Sequence, residues 1–257
     1  MRELFYILMV LFLCTPAFAN QPRVLFDQGH GQVFVIEQET GLHLSRLART
    51  FIGEGFEVSS TAHPLTAGLL DKTDALVISG AFRPFSPAEI AEIIRFIKRG
   101  GRLAVMIHIG PPLKTLLRNL GVDVANGVIR EEEQAIDHEP LNFRTSRLAP
   151  HPLTRGIKDF ALYGCWPLRT LSPAGKTLAF SSNRSWVDLS GDKRLTPGDA
   201  VQAFGVVVTS RIGQGELLVF GDDALFQNRF LSGNNLILAK NLGRWLAGAL
   251  KVPAQEI

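Results

Sequence analysis

The sequence predicts an α/β protein built on a mainly parallel sheet with helices on both faces. Three observations predict it. Short apolar runs alternate with amphipathic stretches from Arg23 onward. The amphipathic stretches repeat their apolar residues at helical spacing. The chain of 257 residues is 46% hydrophobic, with 17 Phe and three Trp, enough to build a core under such a sheet and to exclude a disordered or low-complexity chain. Strands alternating with helices imply right-handed crossovers between parallel neighbours.

The elements follow in order. Val24-Leu25-Phe26 reads as a buried strand ending at Asp27. Leu44, Leu47, Ala48, Phe51 and Ile52 fall at i, i+3, i+4, i+7 and i+8 of a helix stopped by Gly53 and Gly55. Phe56–Ser60 and Ala75–Ser79 are the second and third strands. Ser86 is an N-cap, Pro87 suits the first helical position and Glu89 completes a capping box. Ile90, Ile93, Ile94 and Ile97 form that helix's buried stripe, and Gly100-Gly101 ends it. Leu103–Ile107 is a fourth strand, followed by a short helix from about Pro112 to Leu120. Residues 122–200 carry turns and charges, including Glu131-Glu132-Glu133, and no long helical stripe. They predict a β-rich elaboration of the same domain, since no linker separates the two. Val201–Thr209 and Glu216–Phe220 then flank a hairpin connection at Ser210–Gly215. The final helix carries Leu238, Leu242, Trp245, Leu246 and Ala249 on one side.

The first twenty residues give an address. Arg2 precedes ten apolar residues, Leu4–Leu13, and Ala17-Phe18-Ala19 closes the segment. Ten residues are too few to cross a bilayer core of about 30 Å as a helix, so residues 1–19 read as a cleaved secretory signal. The alternative is an uncleaved anchor. Residues 20–257 are then a single exported domain, periplasmic or extracellular, with no further stretch of membrane-spanning length. With Cys14 removed, Cys165 is alone and reads as a buried thiol among aromatics. The net charge is +3 without a basic block, so no nucleic-acid partner is expected.

In open α/β sheets, ligands gather beyond the carboxyl ends of the strands. The polar residues at those ends are therefore the candidates. His30 or His108, with Asp27 or Asp222, can serve general acid–base chemistry. Gln28, Gln32, Ser79, Arg83, Asp223 and Asn228 are candidate ligand contacts. The structural alternative at each is a helix cap, a turn or a simple ion pair. His43, His63, His138 and His151 lack metal-ligand spacing and read as surface or turn residues. No Gly-x-Ser-x-Gly elbow occurs.

Three segments carry a resemblance: Phe26-Asp27-Gln28-Gly29-His30-Gly31-Gln32, Ala75–Gly80 with Pro84-Phe85-Ser86-Pro87, and Val219-Phe220-Gly221-Asp222-Asp223. They resemble a bacterial family of unknown function in the class I glutamine-amidotransferase-like superfamily, near auxiliary proteins of gliding-motility ABC transporters and an intraflagellar-transport protein. The resemblance covers most of residues 23–250 and implies a flavodoxin-like sheet. True amidotransferases place a nucleophilic Cys after the fourth strand. Here Met106-Ile107-His108-Ile109-Gly110 stands in the comparable place, and an imidazole does not form a glutamyl thioester. The resemblance thus implies a non-catalytic relative or one with altered chemistry, without glutaminase activity; no nucleotide cofactor is expected.

A separate signal lies at Asp188–Asp199. Asp188, Ser190, Asp192, Thr196 and Asp199 stand at positions 1, 3, 5, 9 and 12 of an EF-hand-like loop, and Arg194 at position 7 offers a backbone carbonyl. The pattern resembles the dockerin variant, with Lys193 replacing the turn glycine at position 6. Calcium is the cofactor this loop predicts. Together these readings favour an exported protein that binds a small molecule or an envelope partner without turnover. The rivals are a hydrolase using His108 or His30, and a structural component of an envelope complex.

Overall fold

The apolar runs of the central strands are buried on both sides because the sheet they join is covered on both sides. A computed structural model describes residues 21–248; the signal reading at 1–19 and Ala249 lie outside the described residues. Along the chain come β1 (Arg23–Asp27), α1 (Ser45–Gly53), β2 (Glu57–Thr61), α2 (Ala67–Leu70), β3 (Ala75–Ser79), α3 (Pro87–Lys98), β4 (Arg102–Met106) and α4 (Lys114–Asn119). A strand-rich stretch follows: β5 (Val122–Val124), β6 (Ile129–Arg130), β7 (Ala135–Ile136), β8 (Glu139–Thr145) and β9 (Arg147–Leu148). It continues with β10 (Phe160–Tyr163), β11 (Leu168–Thr170), β12 (Gly175–Phe180), β13 (Trp186–Val187) and β14 (Ala200–Val201). The chain closes with β15 (Gly205–Ile212), β16 (Gly215–Phe220) and α5 (Gly233–Ala247).

The fold is mixed α/β with a largely parallel central sheet. Its strand order is β2-β1-β3-β4-β16-β15-β11-β5, with β12 beside β15 and β9 beside β12. The first five run parallel; β15, β11 and β5 continue the sheet antiparallel. Two small antiparallel sheets, β10-β8-β7 and β14-β13-β6, account for the rest of the elaborated region. That region contains no α-helix among the described residues, as its lack of helical periodicity predicts.

Alternation along the strands splits the core in two. Phe26, Val77, Met106, Leu218 and Phe220 face Leu47 and Phe51 of α1 and Leu238, Leu242 and Trp245 of α5. Leu25, Leu76, Ile78, Val105 and Val219 face Ile93, Phe96 and Ile97 of α3 and Leu116 and Leu117 of α4. Helix α3 begins at the predicted capping box, with both reciprocal hydrogen bonds made.

The structure corrects four local readings. Ile52 is 55% exposed, because it lies at the edge of the apolar stripe where α1 ends. Phe96, not Ile94, completes the buried face of α3. The hairpin is tighter than Ser210–Gly215: Ser210–Ile212 stay in β15, and Gly213-Gln214 alone make the turn. Gly213 takes φ +62°, and a Cβ there would stand 2.7 Å from the Lys98 carbonyl oxygen, so the turn sits directly on the end of α3. Val201 belongs to the separate strand β14.

Candidate functional site

The carboxyl ends of β1, β3, β4 and β16 share one rim. The loop after β3 sits on the loop after β1, since Phe82 and Arg83 both donate their N–H to the His30 carbonyl at 2.9 Å. Gly80, after β3, is against the residues after β4 and β16: a Cβ on Gly80 would lie 2.8 Å from Asp223 Oδ2 and 3.6 Å from His108 Cβ. Two histidine clusters occupy this rim, and they differ in what is left over.

The first is closed. His30 Nδ1 is 2.8 Å from Asp27 Oδ2, and Nε2 is 3.1 Å from Glu89 Oε1. The ring stacks on Phe85 with centroids 3.7 Å apart. Gln32 donates to Asp27 Oδ2 at 2.6 Å and accepts from the His30 N–H at 2.7 Å. Burial lowers the imidazole's pKa, but hydrogen bonds and charge from Asp27 and Glu89 more than offset it, so the pKa is raised. Glu89 also accepts from Ser86 and from the Leu65 N–H. Burial alone would raise its pKa; these bonds and the imidazolium bring it below the ordinary value. Both His30 nitrogens end on carboxylates, so neither is free to take a substrate proton.

The second is open. His108 Nδ1 lies 3.0 Å from Asp223 Oδ1, whose carboxylate is 1% exposed. The His108 side chain is 35% exposed, and its ring lies edge-on to Phe34 (centroids 4.9 Å apart) and tilted against Phe82 (5.3 Å). The bond from Asp223 raises the imidazole's pKa; burial opposes it, and the charges of Asp223 and Asp222 add to it. Trp166 Nε1–H donates to the His108 carbonyl and pins the backbone at 3.0 Å. An aspartate on Nδ1 fixes the ring orientation and leaves Nε2 as the working atom.

A family described as "Domain of unknown function (DUF4350)" matches residues 23–242. The chain belongs to the DUF4350 family. No curated protein matches it. Among solved structures, it resembles the mmIFT52 N-terminal domain with TM-score 0.70 and 16% identity, over 91% of this chain and 100% of that one. A cytoplasmic protein from Salmonella typhimurium LT2 gives TM-score 0.58 and 14% identity, over 87% and 99%. A GMP synthase-like protein from Thermoplasma acidophilum gives 0.52 and 10%, over 90% and 94%. At such identities the likeness concerns the fold.

In this DUF4350 chain most of the other predicted site residues have structural employment. Asp222 does not orient His108. It is buried and accepts from the Tyr163 and Ala224 N–H groups at 2.7 and 2.8 Å, and burial plus the neighbouring Asp223 charge push it up to about 8. Gln32 is consumed by Asp27 and His30. Asn228 is buried and satisfied, taking the Arg46 N–H and donating to Thr40 and Gln38 carbonyls and Ser45 Oγ. Gln28 bonds Glu37 and the Ile36 N–H. Exposed Arg83 reaches the Gly29 carbonyl at 3.0 Å. Ser79 Oγ and Asp223 Oδ2 are buried without hydrogen-bond partners among the described residues. Cys165 is fully buried, and burial holds it as a thiol. Sequence reasoning missed Glu89, Phe34 and Phe82. Only Glu89 had a signal, its place in the capping box, and that signal named a different role.

The calcium-loop residues are occupied locally. Asp188 accepts from the Gly191 and Lys193 N–H groups and Ser190 Oγ, Asp192 from the Arg194 N–H, and Asp199 from the Leu189 and Thr196 N–H groups. Among the described residues, no three His, Cys, Asp or Glu side chains group to hold a metal ion.

Proposed function

We propose that this protein is an exported binding protein, without turnover, whose rim at β1, β3, β4 and β16 holds a small molecule through His108. The carrying observation is a 35% exposed imidazole held on Nδ1 by buried Asp223 and flanked by the rings of Phe34 and Phe82. With the ring protonated, as the Asp223 carboxylate favours, that pair of features suits a ligand presenting an oxygen acceptor to Nε2–H and an apolar face to the two rings. Export rests on the Leu4–Ala19 pattern. The strand order β2-β1-β3-β4-β16 supports a flavodoxin-like, amidotransferase-like ancestry. In that ancestry His108 stands where a thiolate attacks, which argues for recognition in place of thioester chemistry.

A second reading has its own support. An Asp-oriented imidazole can activate a water, so a hydrolase using His108 as base and Asp223 as orienting group follows from the same geometry. One experiment separates them. Mass spectrometry of small molecules retained by the purified protein should find a ligand that is absent from His108→Ala. Retention without chemical change supports binding, and conversion of the retained molecule on incubation supports hydrolysis. A protein that carries nothing in either form removes both.

Calcium at residues 188–199 is a separate proposal. It is favoured by Lys193, which takes φ +64°, the sharp-turn conformation an EF-hand loop needs at position 6. Binding requires Asp188 and Asp199 to exchange backbone donors for the ion. Calorimetric titration of chelator-stripped protein should give heat that vanishes in Asp188→Ala; silence at millimolar calcium rejects it.

A further inference from the structure

The opposite end of the sheet holds a pocket that no reading of the rim uses. It lies at the amino ends of β4 and β16, under the turn Pro152–Thr154 and the last turns of α5, with a volume of about 420 Å³. Arg102, His151, Arg155, Asn241, Arg244 and Trp245 line it, with Glu216 at its base.

Its charge is out of balance. Arg102 is only 17% exposed and reaches Glu216 at 3.0 Å and the Trp245 carbonyl, with its guanidinium 4.8 Å over the Trp245 ring. Arg244, mostly exposed, pairs with Glu54 at 2.9 Å. Arg155 has no carboxylate within ion-pair reach among the described residues, although its backbone is held in place by Asn241, whose Nδ2 donates to the Arg155 carbonyl at 2.8 Å. Three arginines thus line the pocket against one lining carboxylate, Glu216, with Glu54 engaged by Arg244. His151 does not add to the charge, because its Nδ1 accepts the Leu153 N–H at 3.1 Å and leaves the ring proton on Nε2. Burial, Arg102 and Lys176 all act to keep that ring neutral, with Glu216 opposing.

We propose that this pocket binds an oxyanion, a carboxylate or phosphate group on a small molecule, with Arg155 as its chief partner. Arg244 and Arg102 supply the surrounding positive field, and His151 Nε2–H is a neutral donor on the same wall. Guanidinium groups present paired N–H donors that match both kinds of oxyanion, and exposed Pro152 in the same lining gives the remainder of the molecule an apolar surface. The volume suits a ligand of metabolite size rather than a bare ion.

The test is isothermal titration of the whole protein with citrate and, separately, with inorganic phosphate. Saturable one-site binding of either is expected, the one that binds naming the oxyanion. Arg155→Gln should weaken it at least tenfold, and Arg155→Gln with Arg244→Gln further. Arg155 is exposed, so this variant should keep the wild-type melting temperature. His108→Ala, which alters only the rim, should bind as the wild type does, so the pocket and the rim fail or succeed independently. Absence of saturable heat with both probes overturns the proposal, as does an Arg155→Gln protein that titrates like the wild type.

Discussion

His30 carries a proton between two carboxylates, and that makes stability depend on pH in a definite direction. Its pKa in the fold lies above the ordinary 6.5. The cluster's contribution is therefore complete below pH 6.5 and is lost as pH rises through the raised value. Glu89, held below its ordinary value, adds stability above about pH 4.5 that is lost as pH falls. His30→Gln leaves Asp27 and Glu89 facing each other without the imidazolium, a loss of about 3 kcal/mol in urea unfolding at pH 6. The gap between wild type and variant should narrow as pH climbs above neutrality; a constant gap would show that the charge on His30 does not hold the cluster together. Little of this was readable from the letters. Asp222 and Asp223 are neighbours of one type, and only the path of the chain turns the first back onto the Tyr163 amide and the second onto His108, 115 positions away. Asn228 looked like a ligand contact for the same reason: a polar residue beside a strand end reads alike whether it faces solvent or latches a loop.

Elements set by local chemistry were legible, and those set by distant contacts were not. Helix α3 declares itself through Ser86, Pro87, Glu89 and an isoleucine stripe, because caps and periodicity act within a few residues. The elaborated region does not. Its strands run from two to seven residues, too short for a clear period, and their partners are distant, as when Ala179 pairs with Leu148 on one side and Val207 on the other. One buried residue organises much of it. Glu131, fully buried just after β6, accepts from the Ser182 N–H and hydroxyl, the Ser185 hydroxyl and the Glu133 N–H. Burial alone would raise its pKa, and these bonds bring it below the ordinary value. Glu131→Ala strands those donors, so it should cost about 3 kcal/mol, although the sequence shows Glu131 only as one of three adjacent acids. A urea midpoint unchanged in that variant would mean the serines find water instead.

For the molecule as a whole, β16 joins two kinds of sheet. It is parallel to β4 on one side and antiparallel to β15 on the other, so the strand last in the chain closes the centre of the sheet. Gly221 shows how tightly it is enclosed, since a Cβ there would stand 2.1 Å from the Trp166 carbonyl oxygen. The parallel order was foreseeable from alternating runs, while the antiparallel extension beyond β16 depends on a hairpin whose position alone is visible in sequence. Opening the centre requires separating β16 from both neighbours and exposing both cores, because Val105 and Val219 face one and Met106 and Phe220 the other. Native-state hydrogen exchange should therefore find the slowest amides in β3, β4 and β16, exchanging only with global unfolding. Amides of residues 188–199, in a mostly exposed loop fastened by its own side chains, should exchange through local opening and much earlier. If the central strands and this loop exchanged together at every denaturant concentration, β16 would not be the strand on which the fold closes.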